Sequence, residues 1–549
     1  MLALYPSNKL EHLSFLLTTL LRQQPLGVFT PETILVESPG MQHWVSMQLA
    51  TEHGVAMNID YPLPVRFMWN TARAVLGQDT VPKQSPYRRE VLTWRIDNIL
   101  QDGSLMSGDA FEQVNRYWQN AGSEQEQGLQ RLQLATALAD VYEQYLLYRP
   151  DWLFKWEANE RAVFDDMEIW QSEIWRILAK EQPLHPARLH QMTLEALDGG
   201  HIPNQHPTSN LPKRVIVFAI NTMAPQLIAF FDALAQHIDI HIFHLNPSVN
   251  YWGEAKSSSE QAKLLRLEGL KKWMEEDQSN PLLGNLGKQG RELFNLLTEL
   301  DTFEISAFDS PDFDEGDNNG ENNRSRGLLE YIHNDILRAA PPKPLDCGLK
   351  SGDVNASALK EKDDSVTIMC THSALREVQV LHDHLLHWLS QDKTRTPSDI
   401  LVMCPAIENY APFVDAVFHR VGTKSLAGTG QVRLPCTIAD RSPMDAEPLI
   451  AAFMALLQLP DSRFGVSDIM DYLQLDSVQK RFAVSQDDIE QMVVWLKQAH
   501  IHWGLNSAHK TAVSEGVDLD ETYSWWWGIR RLLMGMLAPD NEVIVSDLL

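Results

Sequence analysis

Short apolar runs bounded by turn-forming residues recur along the chain, each followed by a longer stretch with apolar residues three and four apart. LALY comes first, ahead of a helix predicted at about 8 to 22. TILV at 33–36, VIVFAI at 215–220, IDIHIF at 238–243, SVTIMC at 365–370 and DILVMC at 399–404 follow. Runs of that length, without polar alternation, fit strands buried on both faces of a parallel sheet. Between residues 64 and 200 the apolar spacing is mostly helical, which predicts an all-helical insertion at about 65–200 inside an α/β domain. The acidic, Asn/Gly-rich stretch 306–327 predicts a disordered surface loop. The Pro/Gly/Ser-rich stretch 339–364 predicts a boundary between a first domain over 1–360 and a second over 361–549. At the end of the chain, NEVIVSDLL reads as a strand with no element after it, as expected of the front part of a longer protein.

Composition narrows the class. Of 549 residues, 44% are hydrophobic and 22% charged, ordinary values for chains that bury real cores, and the length implies more than one domain. No window approaches about 18 uninterrupted apolar residues, and the start lacks a basic region followed by a long apolar run, which argues against a membrane span and a secretory signal. Cys347, Cys370, Cys404 and Cys436 lie far apart with no CxxC pair. A disulfide scaffold and the usual zinc or iron–sulfur ligand sets are excluded, and the compartment reads as cytoplasmic. The net charge of −27 argues against loose binding to nucleic acid, because such binding draws its affinity from cations that release counterions. Residues 301–330 carry nine acids against two arginines, so a local channel for DNA survives that average.

Catalytic chemistry is hard to find. A nucleotide motor needs a glycine-rich loop after its first strand so that backbone amides cradle phosphates. The first strand here runs into Pro6-Ser7-Asn8-Lys9, Gly287-Lys288 is followed by Gln289, and Gly422-Thr423-Lys424-Ser425 has the wrong order. The strand at 215–218 leads into Ala219-Ile220-Asn221, where a metal-binding acid would stand. No cofactor is expected. An EF-hand starting at Asp312 fails, since Gly316 and Asn323 occupy liganding positions. His382, His384 and His387 fall on a helix whose apolar stripe is Val378, Leu381, Leu385 and Trp388, so His384 and His387 face solvent instead of a metal.

Three constellations fit binding. TILVES leads into Pro39-Gly40-Met41-Gln42-His43-Trp44, with a capping Ser and a Pro for the first turn, a helix start that offers free amides to an anion. An ordinary capped helix has the same signature. On residues 133–150, Leu134, Leu138, Val141, Tyr145 and Tyr148 form one helical stripe. Asp140, Glu143 and Leu147 lie opposite, and Arg149 stands before Pro150. Carboxylates accept from cytosine amino groups and Arg grips guanine or phosphate, although a solvated acidic face has the same spacing. Aromatics also cluster around Tyr61-Pro62-Leu63-Pro64 with Trp69, and over Tyr523 to Trp527 with Arg530 and Arg531. There they can stack on bases or fill a core.

Seven strings in order along the chain resemble the RecC family, the gamma subunits of bacterial exodeoxyribonuclease V (RecBCD). They are SPGMQHWVSMQLA (38–50), NIDYPLPVRFMW (58–69), DVYEQYLLYRPDWL (140–153), NPSVNYWGE (246–254), NPLLGNLGKQGRELFNLL (280–297), REVQVLHDHLL (376–386) and LLQLPDSRF (456–464). The resemblance implies α/β, superfamily 1 helicase-like parallel-sheet domains whose ATPase site is lost, in a chain about twice this length. It implies a non-catalytic subunit that assembles with RecB-like and RecD-like partners, guides the 3′-ended single strand of DNA and reads a Chi sequence in homologous recombination and repair. Carried over by local match, the DNA- and Chi-binding positions are Glu37, His43, Leu63, Trp69, Asp140, Val141, Glu143 and Arg149. Leu63 and Trp69 would wedge or stack, Asp140 and Glu143 would accept from bases, and Arg149 would donate to a base or phosphate. Glu37 and His43 stand where the family has amides, Pro39 where it has a hydroxyl, and Pro186 where it has an Arg that Arg188 could replace, so the implied octamer differs from the familiar one. The alternatives are an AddB-like active helicase–nuclease subunit, which needs the phosphate loop missing here, and a structural adaptor that never touches DNA.

Overall fold

The computed structural model describes residues 1–27, 29–119, 123–163, 165–198, 211–269, 280–309, 327–342, 345–346, 357–358, 363–418, 434–439, 447–514 and 517–537. They fall into two compact units, Met1–Thr367 and Ile368–Leu549.

In the first unit six described strands form one all-parallel sheet: β1 (Leu2–Ser7), β2 (Glu32–Leu35), β3 (Ile59–Asp60), β4 (Arg214–Phe218), β5 (Asp239–Leu245) and β6 (Phe303–Glu304), in the order β3-β2-β4-β5-β1-β6. The runs at the chain start, 33–36, 215–220 and 238–243 thus become β1, β2, β4 and β5. Burial of both faces explains why they carry no polar alternation. Alternate residues serve opposite cores. Leu2, Leu4, Val215, Val217, Ile240 and Ile242 join one apolar cluster, and Ala3, Tyr5, Ile216, Phe218 and Phe243 join the other. The second cluster is covered by helices α1 (Leu10–Gln23) and α2 (Pro39–His53). At the amino end of β4, Arg214 is buried and grips Glu32 of β2 through two parallel hydrogen bonds, one of them 2.9 Å, which fixes the β2–β4 register.

From Pro64 to Asp198 the described chain is helical: α3 (Pro64–Leu76), α4 (Arg89–Leu100), α5 (Gly103–Met106), α6 (Glu112–Gln119), α7 (Glu124–Tyr148), α8 (Pro150–Glu157), α9 (Asp166–Glu181) and α10 (Pro186–Asp198). α4 to α9 share their own core, with Trp156, Trp175 and Tyr142 fully buried at its centre. α3, α10, α11 (Pro225–Ala235) and a later helix over Lys288–Thr298 cover the first cluster of the sheet.

The second unit departs from expectation. The runs at 365–370 and 399–404 are not strands; Ile368, Leu401 and Met403 are 87, 83 and 81% exposed. Their apolar pattern is that of buried strands, but among the described residues no neighbouring strand offers them backbone partners. Regular structure there is helical, with Met470, Ile489, Leu496 and Ile501 at the centre of one cluster and Val378, Phe418 and Leu434 in another. His384 and His387 are exposed on the helix Ala374–Gln391, and His382 lies edge-on to Phe418 at 5.0 Å. Among the described residues no three potential ligands come together for a metal, and no helix is long and apolar enough to cross a membrane. The acidic stretch 310–326, most of the boundary stretch at 347–362, Gly422 to Ser425 and the terminal NEVIVSDLL lie outside the described residues.

Candidate nucleic-acid interface

In a parallel sheet every carboxyl end points to one edge, and ligands of open α/β sheets collect there. Here that edge has two unlike halves. Over β1 and β6 it is covered. The chain leaving β6 pairs with β1 through Ile305 N–H to Leu4 O at 2.9 Å and Ala307 N–H to Pro6 O at 3.0 Å, then crosses the end of β1. Ser7 Oγ donates to Ala307 O at 2.7 Å, and Asn8 and Asp309 exchange two hydrogen bonds, 3.1 and 2.9 Å. Lys9, which caps α1 without a side-chain bond, is ion-paired to Asp309. Hydrogen bonding to Lys9 holds the Asp309 carboxyl below its usual range. Where a phosphate loop would present amides to an anion, this chain presents carbonyls and a carboxylate.

Over β3, β2 and β4 no such crossing segment is seen among the described residues, and Glu37, Leu63 and Asn221 past the strand ends are exposed. Glu37 is exposed just past β2, and Ser38 accepts from Met41 N–H at 3.2 Å while Pro39 starts α2, so His43 projects from the exposed side of the first turns. β3 enters α3 through Tyr61-Pro62-Leu63, and Pro64 is its first residue. Leu63 is 57% exposed. Tyr61 Oη and Ser46 Oγ, 2.9 Å apart, tie this link to α2; burial raises the Tyr61 pKa and the Ser46 contact partly offsets it. Trp69 is half-buried, and its indole N–H donates to Pro82 O at 3.0 Å. That leaves the ring face, not the polar edge, as the part of Trp69 able to meet a base.

The third group sits on α7. Its buried face is Ala135, Leu138, Ala139, Tyr142 and Leu146; of the expected stripe Leu138 is buried and Leu134 and Tyr145 pack against the same core, while Val141 and Tyr148 fall outside it. Val141 is half-buried on the flank and Tyr148 is 56% exposed. Small alanines carry little weight in a hydrophobic pattern yet let α4 pack closely, so the true face was rotated by about one residue. Asp140 is half-exposed. Its Oδ1 lies 3.2 Å from Arg89 Nη1, and Gln144 Nε2 donates to its Oδ2 at 3.5 Å. Glu143 is exposed and makes no ion pair among the described residues. Arg149, also exposed, closes α7 with its guanidinium 5.4 Å from the Trp152 ring centre. Gln226, at the start of α11 beyond β4, donates to Leu146 O at 2.9 Å. The end of α7 is thereby fixed to the β4 side of this edge, and Asp140 lies about 9 Å back along the helix.

Glu37 and His43 thus follow the end of β2 and Leu63 the end of β3, Trp69 stands on the second turn of α3, and Gln226 ties the Leu146 turn of α7 to the start of α11. Arg89, 51 residues from Asp140 in sequence, was invisible to pattern reading because nothing local links it to α7. Arg188 is committed elsewhere. It donates to Glu157 Oε2 at 2.7 Å and stacks 4.8 Å from the Phe154 centre. Burial works to raise the Glu157 pKa, but His185, Arg188 and Trp175 outweigh it and hold the carboxyl low. In the second unit, Arg530 lies over Trp526 and pairs with Glu521, while Arg531 lies over Trp527 and donates to Ala499 O at 3.3 Å. Those cations already cover the rings they were expected to assist.

Sequence comparisons agree on one family. The family description "RecC, N-terminal domain" matches residues 2–339, and "RecBCD enzyme subunit RecC fourth domain" matches 446–549. Proteins named RecBCD enzyme subunit RecC are similar over nearly the whole chain. That of Escherichia coli K12 is 32% identical over 97% of this chain and 48% of its own length. That of Haemophilus influenzae Rd is 26% identical over 100% and 49%, and that of Mycolicibacterium smegmatis 27% over 98% and 46%. The chain spans about half the length of these relatives.

Proposed function

The chain belongs to the RecC family, and from that premise we propose that it is the strand-handling and scaffold part of a RecBCD-type helicase–nuclease in the cytoplasm, with no catalysis of its own. Its partners are RecB-like and RecD-like subunits and DNA. Its task is to guide the 3′-ended single strand and to recognise a Chi-like sequence during double-strand break repair. The two domains, 1–360 with the helical insertion and 361–549, are of superfamily 1 helicase type, and the first has lost its ATPase site. The observation that carries this reading is the division of the carboxyl edge: the end of β1, where a motor would hold nucleotide phosphates, is covered through Asn8, Lys9 and Asp309, whereas past β2, β3 and β4 Glu37, Leu63 and Asn221 are exposed with no crossing segment among the described residues.

Past β3, Leu63 and the Trp69 face wedge or stack against bases, each stacked base contributing about 1–3 kcal/mol. Glu143 is an exposed acceptor with no ion pair among the described residues, and Asp140 reads through a carboxylate that Arg89 already orients. Arg149 meets a base or phosphate, Val141 lines the helix flank, and Glu37 and His43 flank the strand at β2. An acid at position 37 and an imidazole at 43 favour different base edges from amides, so the recognised octamer differs from that of relatives with amides there. The test is DNA processing by the assembled complex carrying Trp69→Ala or Asp140→Ala. Both variants are expected to lose the pause at the recognised sequence. Unchanged pausing in both would make the chain an adaptor, and ATP hydrolysis by the purified chain would favour the AddB-like alternative.

A further inference from the structure

Between the Glu37 turn and the end of α7 lies a segment with no role so far, the link Ala219–Ala224 that joins β4 to α11. β2 and β4 run in parallel register with Ile34 opposite Ile216 and Leu35 opposite Val217, so two residues on Glu37 and Ala219 leave the sheet level with each other. Ala219 has φ +48°, a left-handed conformation that a side chain with a Cβ adopts only when its surroundings enforce it. The enforcement is visible. Ala219 N–H donates to Phe243 O at 2.9 Å, and Ile220, Met223 and Ala224 are buried, the first two in the core beneath the sheet. Asn221 and Thr222 alone of the link are exposed, and neither makes a hydrogen bond among the described residues. At the far end, Gln226 clamps the link to α7 through Leu146 O. The result is a rigid, strained turn that holds two free polar side chains in the gap between two groups of strand-reading residues.

We propose that Asn221 and Thr222 are further specificity-determining residues, reading one or two bases of the single strand between those met at Glu37 and at α7. This rests on the strand-reading function proposed above. A side-chain amide offers one donor beside one acceptor, which matches the edge of an unpaired base, and a hydroxyl can serve either partner. Buried neighbours hold the backbone of the turn, so only the two side chains need to be ordered on binding, which favours a selective contact over a merely sticky one.

The experiment is degradation of a random-sequence duplex library by the complete gene product assembled with its RecB-like and RecD-like subunits. Sequencing of the protected ends gives the recognised motif. Asn221→Ala should relax preference at one position on the order of ten-fold while the rest of the motif stands. Asn221→Asp, which keeps the acceptor and loses the donor, should change the preferred base there, and Thr222→Val should relax the same or an adjacent position. Thermal unfolding of the three variants should match the parent, since neither side chain has a hydrogen-bond partner to lose among the described residues. Trp69→Ala is the control. If it erases the motif while all three link variants leave every position intact, the link is not a reading element and the inference is overturned. If the parent complex yields no motif, the strand-reading function itself falls.

Discussion

Two histidines test how strictly the sheet excludes water. His244 is buried, and among the described residues neither ring nitrogen has a hydrogen-bond partner; His241 keeps Tyr5 Oη at 3.0 Å from Nδ1, and its Nε2 has no partner among them. Burial pushes the His244 pKa down to about 4, and burial followed by repulsion from Arg214 does the same to His241. Both are neutral in the folded chain and bind protons more readily when it unfolds, so stability is full above about pH 6.5 and falls as pH drops toward 4. Each ring can withdraw up to about 3 kcal/mol over that window. The Glu157 and Asp309 carboxyls are held below their usual range, so their contributions fall below the window between pH 6.5 and 4.5. Unfolding temperature against pH is the measurement. His244→Leu should flatten the fall between pH 6.5 and 4.5, and an unchanged slope would mean that water reaches the ring. A second residue-scale expectation concerns Arg89 and Asp140. Their pair is half-exposed, so a double-mutant cycle on unfolding should give at most about 1 kcal/mol. Any larger coupling seen in DNA processing would then belong to recognition and not to folding.

At the level of elements, α7 decides how far a pattern can be trusted. Tyr142, at the centre of the helical core, donates to Gln171 O at 2.6 Å and lies 5.5 Å from the Trp175 ring. Truncating it to Ala should cost about 3–5 kcal/mol, and Tyr142→Phe about 1 kcal/mol for the lost hydrogen bond. Val141→Ala, on the flank, should cost clearly less than Tyr142→Ala. Denaturant unfolding of the variants checks the order, and a larger loss at Val141 would restore the rotated face read from the sequence. β1, β2, β4 and β5 were legible because both their faces are covered and their apolar runs are therefore unbroken. β3 and β6 were not, since two residues carry no period and exist as strands only through neighbours. The runs at 365–370 and 399–404 have the pattern without the neighbour, and pattern alone does not make a strand. In the candidate interface, caps such as Ser38 and Pro39 could be read locally. The partners Arg89, Pro82 and Gln226 could not, because each is brought in by tertiary packing.

On the scale of the whole chain, the −27 charge and the covered end of β1 bear on the same question, which is what the first unit refuses to bind. A phosphate loop works by pointing amides and a lysine at an anion. Here the candidate lysine, Lys9, is spent on Asp309, and the Ala307 carbonyl accepts from Ser7 with the His12 ring 3.1 Å away. If the closure were held by the Lys9–Asp309 pair alone, Asp309→Ala would free the lysine and admit nucleotide. The backbone bonds of Ile305 and Ala307 to β1 and the amide of Asn8 would remain, and no glycine permits the chain after β1 to curl around a phosphate. Titration of a fluorescent ATP analogue should therefore show no binding to the parent or to Asp309→Ala, with magnesium present. Saturable binding by the variant would mean that a phosphate site persists beneath the closure and that one ion pair keeps nucleotide out. Saturable binding by the parent would return the first unit to the class of working nucleotide sites, and the exposed residues past β2 and β3 would then have to be reconsidered as the exit of a motor and not as a reading head.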